Sequence, residues 1–254
     1  MTWHDAGVML KLGTLALDRS RPRVAVVFAD GTSVGAIRRA RTAGMDLAEL
    51  RIDLFRDTGT RHVLDEARKF AGVPTIGTIR SRAEGGDWRR SERARLALFR
   101  AVIPYVSAVD VELGSTEILA EVATAAHQAD KLVVVSFHDF AATPPYPVLV
   151  RKLRRAQRAG ADLVKLATYA RDDRAVARLA RVLVNHPEAP LVVFAMGEVG
   201  TKSRVFFPAL GSLFTFAPWQ RATAPGQLGL PATLRLLRLF YPSSRRVATR
   251  RAAP

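Results

Sequence analysis

Short runs of β-branched and aliphatic residues alternate along the chain with longer stretches whose apolar positions recur every three or four residues. That alternation predicts parallel strands joined by helical crossovers. The strand runs are Val24 to Phe28, Leu47 to Ile52, Thr75 to Arg80, Val109 to Leu113, Leu132 to Phe137, Leu163 to Ala167, Leu191 to Met196 and Leu213 to Phe216. Eight of them is the barrel number.

The helices between them carry their own punctuation. Ser33 precedes and Gly44 follows the first; Gly72 and Pro74 close the second; Ser91 opens the third and Pro104 stops it. Ser115 is read as opening the fourth, Pro147 and Gly160 bracket the fifth, and Arg171 to Leu183 makes the sixth. The seventh, around Ser203 to Phe206, is cut short by Pro208, and Pro231 starts the last apolar run, Leu234 to Phe240. A doubly wound open sheet would show the same alternation, but the first strand leads into Ala29, Asp30 and Gly31 rather than a G-x-G-x-x-G turn. The expected fold is therefore α/β, a single (β/α)8 TIM barrel over residues 1–242, with the polar, basic segment 243–254 expected to be a disordered tail.

Composition narrows the chemistry. With 254 residues, 48% of them hydrophobic, the chain can bury one large core. It has no cysteine, which excludes disulfides, thiolate zinc sites and cysteine nucleophiles. Met1 to Leu17 carries Asp5 and Lys11 and lacks a basic start, so it does not read as a signal peptide, and no apolar run is long enough to span a membrane. A soluble, cytoplasmic protein is expected.

The formal net charge of +16 raises a polyanionic partner. The arginines are scattered over the helices (Arg38, Arg39, Arg68, Arg93, Arg95, Arg154, Arg155, Arg178, Arg181) without aromatic interleaving, so they read as solvated faces. A small-molecule substrate is expected, with no nucleic acid and no membrane.

Barrel catalysts sit at the C-terminal ends of strands, so polar residues there attract attention. Glu49 and Arg51 are two apart and share a face, as do Asp110 and Glu112; Arg80 ends the third strand with Glu84 in the next turn; Ser136, Phe137, His138 and Asp139 end the fifth. Lys165 stands in an otherwise apolar strand. An ammonium there is costly to bury, which leaves a structural ion pair or an amine kept reactive by neighbouring cations. His138 likewise fits either a hydrogen-bonded structural role or a proton shuttle. Lysine, histidine and carboxylates at one barrel mouth together suit imine chemistry. Gly197, Glu198, Val199, Gly200, Thr201, Lys202 and Ser203 have two residues between the glycines rather than a phosphate loop's four, and read instead as a turn delivering Arg204 to hold an anion.

In order and spacing these segments resemble the type I 3-dehydroquinate dehydratases. The matching pieces are Glu49-Leu50-Arg51-Ile52-Asp53, Thr78-Ile79-Arg80-Ser81 with Glu84-Gly85-Gly86, Ser136-Phe137-His138-Asp139-Phe140, Ala161-Asp162-Leu163-Val164-Lys165, Met196-Gly197-Glu198-Val199-Gly200 with Ser203-Arg204-Val205, Gly211-Ser212 with Thr215-Phe216, and Ala224-Pro225-Gly226-Gln227-Leu228. The resemblance implies a lyase that converts 3-dehydroquinate to 3-dehydroshikimate without metal or organic cofactor. It implies Lys165 as the imine-forming residue, His138 as general acid and base, and Glu84 as the carboxylate that orients this histidine and favours its charged form.

Carried over in the same way, Glu49, Arg51 and Arg80 contact the ring hydroxyls, Arg204 and Gln227 hold the substrate carboxylate, and Thr223 stands in a lid where serine is usual. The resemblance further implies an N-terminal hairpin on the barrel floor and a possible homodimer. The rival readings are another lysine-imine barrel enzyme, such as a class I aldolase, and a non-catalytic polyanion-binding barrel.

Overall fold

A computed structural model of the chain describes residues 10–219 and 225–242. An antiparallel hairpin, β1 (Leu10–Leu12) and β2 (Leu15–Leu17), precedes eight strands that are parallel throughout. These are β3 (Arg23–Phe28), β4 (Leu47–Arg51), β5 (Thr75–Thr78), β6 (Ala108–Glu112), β7 (Leu132–Asp139), β8 (Leu163–Tyr169), β9 (Leu191–Met196) and β10 (Phe214–Pro218). They lie in the order β10-β3-β4-β5-β6-β7-β8-β9. The seam between β9 and β10 is drawn together by Leu213 N donating to Leu191 O at 2.9 Å and by the Ser212 hydroxyl, which accepts Val193 N at 3.0 Å. The expected barrel is present, nearly closed.

The helices are α1 (Val34–Ala43), α2 (Thr60–Arg68), α3 (Glu92–Val102), α4 (Leu119–Gln128), α5 (Tyr146–Arg158), α6 (Asp173–Asn185), α7 (Ser203–Phe206) and α8 (Leu230–Phe240). Ser33 and Ser91 cap α1 and α3 as their positions suggest, accepting Ala36 N and Ala94 N. Ser115 does not cap α4. Its hydroxyl donates to Glu112 instead, and the helix starts at Leu119 without a side-chain cap. The sixth helix begins two residues later than its periodicity indicates, because the Asp172 carboxylate accepts Ala175 N and fixes the first turn there.

Two strands outrun their hydrophobic pattern. β7 and β8 continue to Asp139 and Tyr169 because their backbones pair, His138 opposite Ala167 and Asp139 opposite Thr168, so backbone pairing carries the ladder past the apolar run. β5 stops early, leaving Arg80 just beyond it.

Parallel barrel strands are covered on both faces, and two apolar clusters result. One lies between strands and helices; the other fills the barrel, where Leu12 and Leu17 of the hairpin join Ala25, Leu47, Ile76, Ala108, Val134 and Leu163 from the strands. The hairpin thus plugs the floor. One arginine read as solvated is not: Arg95 on α3 is fully buried, on the same helical stripe as Leu98, Phe99 and Val102. Thr223 and the segment 243–254 lie outside the described residues. No helix among the described residues is long and apolar enough to cross a membrane.

Candidate active site

The period of two decides which side chains enter the barrel. On β8, Leu163 and Ala167 belong to the inner cluster and Val164 and Leu166 to the outer one, so Lys165 points inward. By the same alternation Glu49 and Arg51 follow Leu47 on β4, Asp110 and Glu112 follow Ala108 on β6, and Ser136 and His138 follow Val134 on β7. One barrel end therefore collects charge from four adjoining and facing strands.

The amine of Lys165 is buried, 2.9 Å from Asp110 Oδ2 and 3.3 Å from Glu49 Oε1, with its Nζ 4.4 Å from the centre of the Phe216 ring. The expectation that cations crowd this lysine is corrected here: its immediate partners are two carboxylates. The cations stand one step further out. Arg80 bonds Asp110 at 2.8 Å, Ser136 Oγ at 2.6 Å and Glu112 Oε1 at 3.0 Å, and Arg51 forms a two-pronged pair with Asp53 at 2.9 and 2.8 Å. Arg80 and Lys165 hold the Asp110 carboxyl well below the usual carboxylate range, against the burial that would raise it.

His138 faces Glu84. The Glu84 Oε2 accepts the backbone N–H of His138 at 2.8 Å and lies 3.0 Å from its Nδ1. Oε2 already accepts one donor, so the arrangement suits an imidazole that donates from Nδ1 and keeps a lone pair on Nε2. Burial, then Arg80 and Lys165, lowers the pKa of His138 well below the ordinary value, while burial pushes Glu84 up to about 7. This corrects the expected electrostatics: the surroundings favour the neutral imidazole, not its charged form.

Arg204, from α7, is 1% exposed and has no carboxylate partner among the described residues. One amino group donates to Pro225 O at 3.2 Å and the guanidinium stacks on Phe194 at 4.6 Å, whereas Nε and Nη1 are buried without a hydrogen bond. Burial lowers its pKa to about 10. A cleft of about 440 Å³ opens over these groups, lined by Glu49, Arg51, Arg80, Glu84, His138, Lys165 and Gln227, with Phe140, Phe194, Met196 and Phe216 as its apolar walls. Arg204 is not among the residues that line it; its guanidinium lies against the ring of Phe194, which is.

The family model for Type I 3-dehydroquinase matches residues 24–244. The chain belongs to that family. A 3-dehydroquinate dehydratase of Methanosarcina barkeri is 35% identical over 243 residues, covering 91% of this chain and 100% of that one. One from Aquifex aeolicus is 32% identical, covering 86% and 98%. Among solved structures, the 3-dehydroquinate dehydratase of Geobacillus kaustophilus superposes with a TM-score of 0.85 at 26% identity, covering 96% and 100% of the two chains. The type I enzyme of Clostridium difficile, solved with covalent modified comenic acid, gives 0.83 at 26% identity over 92% and 98%.

For a type I 3-dehydroquinase, the structure adds residues that sequence reasoning left without a role. Asp110 was legible as an inward strand residue, but its contact with Lys165 was not. Arg95 bonds Glu112 Oε2 at 2.7 Å, on the side of that carboxylate opposite Arg80. Its signal was present in the sequence: an arginine on the apolar stripe of α3 is costly to bury unless it meets a charge.

Proposed function

We propose that the chain dehydrates 3-dehydroquinate to 3-dehydroshikimate through a Schiff base on Lys165. The observation that carries this reading is that Lys165 and His138, on adjacent strands, both open into one cleft. Once deprotonated, the amine attacks the C3 ketone and water leaves, giving a protonated imine. Asp110 and Glu49, which flank the Nζ of Lys165, stand ready to stabilise that cation.

The imine draws electrons from C2, and the neutral imidazole of His138 takes the C2 proton. The resulting enamine expels the C1 hydroxyl, which His138 protonates as water, and hydrolysis of the imine frees the product. Glu84 keeps the ring oriented by holding Nδ1. The two unbonded nitrogens of Arg204 suit a carboxylate, with Gln227 of the cleft wall as the second group for it, and Glu49, Arg51 and Arg80 meet the ring hydroxyls. Each step uses only protein side chains and water. The matches give no support to a carbon–carbon lyase.

Borohydride added with 3-dehydroquinate should reduce the imine to a stable adduct on Lys165, located by peptide mass spectrometry. An unmodified Lys165 under turnover would defeat the proposal.

A further inference from the structure

Phe140 stands just past the end of β7 and is 43% exposed, beside a buried charge cluster. Its ring lies nearly parallel to the imidazole of His138, at 18° and 6.4 Å between centres. The outer edge of the ring meets the turn that carries Glu84: a Cβ placed on Gly85 would fall 2.4 Å from Phe140 Cζ. Gly85 also adopts φ 79°, so glycine there serves both the turn and the ring's seat. The His138 side chain is left only 9% exposed at the cleft mouth.

We propose that Phe140 is a positioning residue for the reaction: its ring takes the contact with water so that the imidazole of His138 does not, and it fixes the plane of that imidazole. This rests on the assignment of His138 as the base.

The charged groups facing His138 are Glu84 from the turn after β5, Arg80 just before it, Asp110 from β6, Arg51 from β4 and Lys165 from β8. Replacing Phe140 removes none of these groups. Removing the ring then acts chiefly on the burial of the imidazole, which is the largest cause of its lowered pKa. Water admitted beside it favours the protonated form, so the midpoint of His138 must rise.

The test is an NMR titration of the free enzyme, with the His138 signals assigned by their loss in His138→Asn. In Phe140→Ala the midpoint should move up by about half a pH unit or more, and the acid limb of kcat should move up with it. Phe140→Leu, which keeps an apolar cover, should stay closer to the parent. A midpoint that does not move in Phe140→Ala, or that moves as far in Phe140→Leu, overturns the proposal. The titration needs no substrate, so an enzyme without dehydratase activity would refute the functional reading while the comparison of midpoints still stood.

Discussion

The Nζ of Lys165 lies 2.9 Å from Oδ2 of Asp110, and the same oxygen takes Arg80 at 2.8 Å. One carboxylate, itself wholly buried, balances two buried cations. Replacing it with asparagine takes one negative charge from both, leaving Lys165 with Glu49 and Arg80 with Glu112, and the expected loss of unfolding free energy is about 3 kcal/mol, read by urea denaturation at neutral pH. The carboxyl's pKa is depressed on folding, so its contribution is complete above the ordinary aspartate value of about 4 and drains away as pH falls below it. Asp110→Asn should accordingly lose less stability than the parent between about pH 5 and pH 3. Equal acid sensitivity in the two proteins would contradict this account.

His138→Ala should slow turnover by about 10²-fold or more, as expected when a general base is lost. Borohydride should still trap the substrate on Lys165, because attack by the amine does not need the imidazole. Turnover near that of the parent would take His138 out of the chemistry.

Arg204→Met removes a buried guanidinium that has no counter-charge among the described residues, and keeps much of its volume. The empty enzyme should be at least as stable as the parent in thermal denaturation, since the cost of burying a lone cation disappears. Its kcat/KM should nevertheless fall by about 10²-fold, with KM carrying the loss of the charge-assisted bonds. A marked drop in stability with unchanged KM would assign Arg204 to folding instead.

The surface charge should show in kinetics. α5 carries Arg151, Lys152, Arg154, Arg155 and Arg158 with no acidic residue, and the whole chain is +16. An anionic substrate is drawn by such a field, which salt screens within about 10 Å at 0.1 M. Raising sodium chloride from low to moderate concentration should lower kcat/KM by about threefold or more. A flat salt profile would mean that the field does not reach the cleft.

How much of this was legible beforehand differs residue by residue. Lys165 stood out because a charge in an apolar strand has to be accounted for, and Glu49, Asp110 and His138 were assignable to the barrel interior by counting in twos from Leu47, Ala108 and Val134. Ser115 misled because a serine at a helix start has two possible uses, the backbone or a nearby side chain, and Glu112 claimed it. Arg95 misled because a basic residue on a helix is usually solvated, and only the position of Glu112 at the end of β6, within reach of α3, reverses that. Phe140 was legible only as the last residue of the Ser136-Phe137-His138-Asp139-Phe140 motif, and nothing local placed its ring beside His138.

Sequence alone determined the alternation of strand and helix, the faces the strand residues take, and the order of motifs that identifies the family, because these depend on spacing along the chain. Which charge meets which was decided only by the closed barrel. Lys165 and Glu49 are 116 residues apart, and Glu84 and His138 are 54 apart. No local rule links such positions; barrel closure brings them within hydrogen-bonding distance, and burial there sets which of them carry charge.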